Sequence, residues 1–112
     1  MDFKEAVEIT EKIIERFEKI EGKPWGVEGA VIELSKQVGE LSKLILMKES
    51  YYFQNRDKLD KKYVVDKDKI GDELADILFA VVRIAKHYDI DLLTAHIEAR
   101  KKEDDFLKTK GV

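Results

Sequence analysis

Apolar residues recur at helical spacing in four stretches of this chain, and almost nothing interrupts them. Proline occurs once, at Pro24, and only six glycines are spread over 112 residues. Hairpins need turn residues at short intervals, so this punctuation predicts long helices. The first is expected from about Phe3 to Glu21. Phe3, Val7, Ile14 and Phe17, with Ile9, Ile13 and Ile20, make one broad apolar stripe on it. Gly22-Lys23-Pro24-Trp25-Gly26 then reads as a turn.

The second helix is expected from about Val27 to Glu49. Val27, Val31, Leu34, Val38, Leu41 and Ile45 fall within about 80° of one another on a helical wheel, which assigns them to the core. Glu33, Lys36, Gln37, Glu40 and Lys43 lie opposite. The third helix is expected from about Lys69 to Tyr88, with Asp68 as N-cap. Ile70, Leu74, Ile77, Leu78, Val81, Val82, Ile84 and Ala85 cover more than half its circumference, the mark of a central helix. Asp72, Glu73, Asp76, Arg83, Lys86, His87 and Phe79 fill the remainder. A fourth helix starts near Asp89 or Asp91 and runs to about Asp105. The tail from Phe106 to Val112 is expected to fray unless Phe106 and Leu107 dock on a partner. Ser50 to Lys69 is irregular and long for a plain connection. It fits a short extra helix, an ordered loop or a dimer contact.

These elements predict one all-α domain over residues 1–112, an antiparallel bundle of four main helices. Hydrophobic residues make up 44 % of the chain, enough for a core despite 40 % charged residues. The formal net charge of −3 gives no electrostatic case for a nucleic-acid polymer as partner. With no cysteine, disulfides, zinc thiolates and thiol catalysis are excluded. No apolar run approaches the ~20 residues that span a bilayer, and the first residues are already amphipathic rather than signal-like. The expected location is the cytoplasm.

Two acidic clusters carry the chemistry. Gln37-Val38-Gly39-Glu40 and Glu73-Leu74-Ala75-Asp76 each place two oxygen-bearing side chains at i, i+3, on one helix face. If the two helices pack together, Glu40, Glu73, Asp76 and the Gln37 amide can converge. Such oxygen ligands suit a hard divalent cation such as Mg²⁺, which can in turn grip a polyphosphate. Glu33, one turn before Gln37 and about 6 Å along the axis, is a candidate auxiliary ligand or water-positioning group. The plainer reading treats these acids as a solvated surface opposite the apolar stripes. Leu44, Met47 and Phe79 stand among those charges, which suggests that the faces are covered, by a second subunit or a ligand. Gly39 in mid-helix either permits close approach or is benign. Arg83, Lys36 and Lys102 are candidates for phosphate contact, against surface ion pairs. Trp25 either stacks on a base or packs at the turn.

Leu34-Ser35-Lys36-Gln37-Val38-Gly39-Glu40-Leu41 followed by Gly71-Asp72-Glu73-Leu74-Ala75-Asp76-Ile77-Leu78 resembles the paired motifs of the MazG-like family. These are all-α nucleoside triphosphate pyrophosphohydrolases. The similarity runs from about Trp25 to Lys102. The resemblance implies hydrolysis of nucleoside triphosphates, non-standard or in excess, to monophosphate and pyrophosphate. It also implies Mg²⁺ as cofactor, with Mn²⁺ as a substitute, and assembly as homodimers or homotetramers. Glu40, Glu73 and Asp76 would be its metal ligands and catalytic residues. The sequence departs from the family at Lys36-Gln37, where two adjacent glutamates are usual, and at Glu103, where asparagine commonly follows the lysine. Two other classes stay open: a relative that binds nucleotide or metal without turnover, and a structural or regulatory helical interaction module.

Overall fold

The computed structural model describes residues 1–23, 25–52 and 64–112. Among them are four α-helices and no strand: α1 (Phe3–Glu18), α2 (Val27–Lys48), α3 (Lys67–His87) and α4 (Leu92–Thr109). None is long and apolar enough to cross a membrane. The helices fall into two compact units, Trp25–Val81 and Met1–Pro24 with Val82–Val112. The division lies inside α3, between Val81 and Val82.

Local chemistry sets the helix ends. Asp2 caps α1 by accepting from the Glu5 N–H at 2.8 Å, and Asp91 caps α4 by accepting from Thr94 at 3.0 Å. The cap of α3 is Asp66 rather than Asp68. Its Oδ1 accepts from the Lys69 N–H at 2.9 Å, so the helix begins two residues earlier than the sequence suggests. α1 ends at Glu18, one turn short of expectation. Its last carbonyls are taken by tight bonds from Lys19 to Arg16 and from Ile20 to Phe17.

Three helices end alike. Ser50, Asp89 and Gly111 follow the C-caps of α2, α3 and α4 in left-handed conformation, with φ of 60°, 53° and 76°. In each, the next residue's N–H reaches back to a carbonyl of the last turn: Tyr51 to Leu46, Ile90 to Ala85, Val112 to Leu107. This is the Schellman arrangement, and an apolar residue follows the left-handed one each time. It closes α4 at Thr109, so the tail expected to fray is helical. Asp104 and Lys108 pair at 2.9 Å along it. Phe106 nevertheless remains 59 % exposed and every residue from Arg100 onward is exposed.

The unit of α1, the end of α3 and α4 is built on Ile14, Val82 and Ala85, all buried. Ion pairs join its parts at 3.1 Å between Arg83 and Glu21 and 3.8 Å between Lys86 and Glu15. The α1 stripe is split: Ile14 faces inward, while Ile9, Phe17 and Ile20 stay exposed.

In the other unit the buried residues among those described are Ala30, Val65 and Ala80. Here the wheel assignments need correction. The covered side of α2 runs through Ala30, Glu33, Leu34, Gln37, Leu41, Leu44 and Met47. Val31, Val38 and Ile45, expected in the core, are exposed. On α3, Glu73 and Phe79 are partly covered, and Leu74 and Leu78 are exposed. Ala30 and Ala80, small enough to permit close helix packing, are the most deeply buried of the three. The aliphatic stems of Glu33 and Gln37 are long enough to fill the flanking space. Thus Leu44, Met47 and Phe79 are sheltered by their own chain. Of the irregular segment, residues 53–63 lie outside the described structure, including Phe53 of the expected aromatic patch.

Candidate functional site

The α2–α3 unit centres its charge on one carboxylate. Glu73 sits in the second turn of α3, and its Oε2 is buried with no hydrogen-bond partner. A buried acceptor left unpaired costs about 1–3 kcal/mol. Its surroundings are acidic. Burial raises the Glu73 pKa above its ordinary 4.5, and Asp76, Glu40 and Asp72 push it further up, while Lys36 pulls it down. Asp76 and Asp72 belong to the same helix. Glu40 and Lys36 come from α2, so charges of both helices bear on Glu73.

The rest of the α2 cluster is engaged locally. Gln37 Nε2 donates to Glu33 Oε1 at 2.8 Å, and Lys36 Nζ lies 3.8 Å from the same oxygen. Glu33 is therefore held by its own helix. The Gln37 amide, turned so that nitrogen faces Glu33, leaves its carbonyl oxygen as the acceptor available to a ligand.

The donors are all oxygen and mostly anionic, and Glu73 offers an orphaned buried oxygen among them. That chemistry fits a hard divalent cation. Among the described residues, though, no three acidic or histidine side chains are gathered closely enough to hold a metal as they stand. Glu40 and Asp76 are exposed, so both are free to turn toward Glu73.

Of the expected phosphate contacts, Lys36 belongs to this unit and faces the cluster. Arg83 and Lys102 belong to the other unit. Arg83 spends its guanidinium on Glu21, with the two side chains 13 % and 14 % exposed. Sequence reasoning missed Glu21, because its partner lies 62 residues away and nothing in the local pattern signals it. Lys102 is exposed on α4. Trp25 lies against the first turn of α2: a Cβ added to Gly29 would meet its ring at 3.0 Å. Gly29 makes room for the indole, and Trp25 stays 41 % exposed. His87 lies edge-on to Tyr88 at 4.8 Å, and His96 approaches Arg100.

No protein-family model, curated protein or solved structure matches this chain.

Proposed function

We propose that the acidic side of the α2–α3 pair is a divalent-cation site and that the chain is a nucleoside triphosphate pyrophosphohydrolase of MazG-like type. The reading rests on Glu73: an unpaired, buried carboxylate oxygen amid like charges is a costly arrangement that a bound cation would relieve. Glu40, Glu73 and Asp76 would hold the ion, with the Gln37 carbonyl oxygen as an auxiliary ligand and Glu33 behind it. Mg²⁺, or Mn²⁺ in its place, would neutralise the triphosphate and polarise its phosphoryl oxygens when bound. Lys36 supplies a protein cation beside the cluster for phosphate contact. Water adds at the α-phosphorus, the bond to the bridging oxygen breaks, and pyrophosphate leaves. The water's proton passes to a carboxylate of the cluster. The same resemblance carries an antiparallel four-helix bundle, and homodimer or homotetramer assembly, with the reading.

The test is a panel of nucleoside triphosphates with Mg²⁺ or Mn²⁺, scored for pyrophosphate release. Release from at least one substrate, lost in Glu73→Ala by roughly a hundredfold or more, supports the proposal. A Glu73→Ala variant with full activity removes the ligand assignment.

One observation favours a second reading. Gln37 and Lys36 both engage Glu33, so the first motif offers a neutralised surface where the family has paired anions. A relative that binds nucleotide or metal without turnover would look the same. It would show a nucleotide-induced rise in Tm and no pyrophosphate. Absence of both would leave a helical interaction module.

A further inference from the structure

The outward side of α1 is apolar along one stripe and basic along its edge. Ile9, Ile13 and Phe17 recur every fourth residue, and Ile20 continues the row just past the helix end. All four are exposed, Phe17 at 48 % and Ile20 at 80 %. They leave roughly 400 Å² in water, the size of the largest patch on a typical monomer, which is often functional. Ile13, Phe17 and Ile20, with Arg16 and Lys19, line one open cavity of about 600 Å³.

The rim of this groove is cationic. Lys12, Arg16 and Lys19 follow at i, i+4 and i+7 along one flank of the stripe, and all three are exposed. None of them makes an ion pair among the described residues. Glu8 and Glu5 continue the same flank one and two turns nearer the N-terminus, outside the cavity. Glu11 and Glu15 line a separate cavity against the end of α3, where Glu15 pairs with Lys86 at 3.8 Å.

We infer that this groove docks an amphipathic helix of another protein, one whose apolar residues are edged by aspartate or glutamate. The ridge has helical spacing, so a second helix can lay anchors at i, i+3, i+4 and i+7 between its side chains. The unpaired cations lie along its edge, where an acidic flank would meet them, speed the encounter and fix the direction of the docked helix. A second copy of the chain is the poorer occupant, because a two-fold axis through the cavity sets Arg16 and Lys19 against their own images. An anionic membrane is poorer too. It would meet both flanks of α1, and Phe3–Glu18 carries five glutamates against Lys4, Lys12 and Arg16. A docked helix meets only the flank beside which it lies.

The groove belongs to the unit without the acidic site, so its test is read without turnover. The full chain is screened against a displayed library of helical peptides with leucine at i, i+4, i+7 and i+11 and random neighbours. Selected peptides are then measured by fluorescence anisotropy, beside versions with every acid replaced by lysine and beside vesicles of phosphatidylglycerol in phosphatidylcholine. Selected sequences should carry aspartate or glutamate along one edge of the leucines and bind with Kd of roughly 1–100 µM. Arg16→Glu combined with Lys19→Glu should weaken them at least about tenfold and tighten the lysine versions. Ile20→Ser should weaken both, and Glu73→Ala should bind as the wild type does, all with unchanged circular dichroism. An empty screen, selected peptides without acids, or binding that survives the charge reversal overturns the inference. Vesicle binding in place of peptide binding overturns it in favour of a membrane, and self-association that Ile20→Ser abolishes overturns it in favour of a second copy.

Discussion

Glu73 is where a single residue has the widest consequences. Its pKa is raised in the folded chain, by burial first and neighbouring acids second. In the folded state it holds its proton to higher pH than in the unfolded state, so stability falls as pH rises from about 4.5 through the raised value. Below 4.5 both states are protonated and the penalty vanishes. Glu73→Gln should therefore stabilise the chain at pH 7, by about 1 kcal/mol, and that advantage should disappear near pH 4. Tm against pH for the two proteins checks it. Saturating Mg²⁺ should raise the wild-type Tm at neutral pH, since a ligand bound only to the folded state stabilises it, and should leave Glu73→Gln much less affected. Arg83 and Glu21 pose the opposite case, a paired charge. Arg83→Ala strands a carboxylate that is mostly covered and should cost about 3 kcal/mol in urea unfolding. Replacing both residues by apolar ones should recover most of that loss.

At the scale of the element, the helix ends hold strain that can be removed. Ser50 takes up a left-handed conformation that costs an ordinary residue about 1–2 kcal/mol. Ser50→Gly should add about 1 kcal/mol of stability by thermal unfolding, and Asp89→Gly less, because aspartate tolerates that region better. Gly39 shows the reverse effect. A Cβ placed there meets no other described atom within 4 Å, so Gly39→Ala should stabilise the α2 interior by about 0.5–1 kcal/mol. Thermal unfolding against the wild type checks it. The helix starts were partly legible in sequence: Asp91, which caps α4, is one of the two residues near which the fourth helix was expected to begin. Asp66 was displaced in the reading by Asp68, because two aspartates two residues apart present the same local signal and only the hydrogen bond to Lys69 separates them.

For the whole molecule, helical spacing with one proline was enough to determine an all-helical chain, and four helices stand among the described residues within a few residues of their expected bounds. The two acidic motifs were equally visible, because i, i+3 spacing on a helix is a local property. Whether they converge on one point depends on packing between the two helices, which local spacing does not report. Which face of α2 turns inward was not legible. Periodicity reports which residues lie together on a helix, and the wheel of α2 offers an apolar stripe and a charged one with Leu44 and Met47 set into it. The chain covers the boundary between them, Leu34 and Leu41 with Glu33, Gln37, Leu44 and Met47, and leaves Val31, Val38 and Ile45 in water. A sequence fixes the angular order of side chains around each helix through covalent geometry. The rotation of that helix about its own axis is a tertiary quantity, decided by which of its side chains find a packing surface in the folded unit.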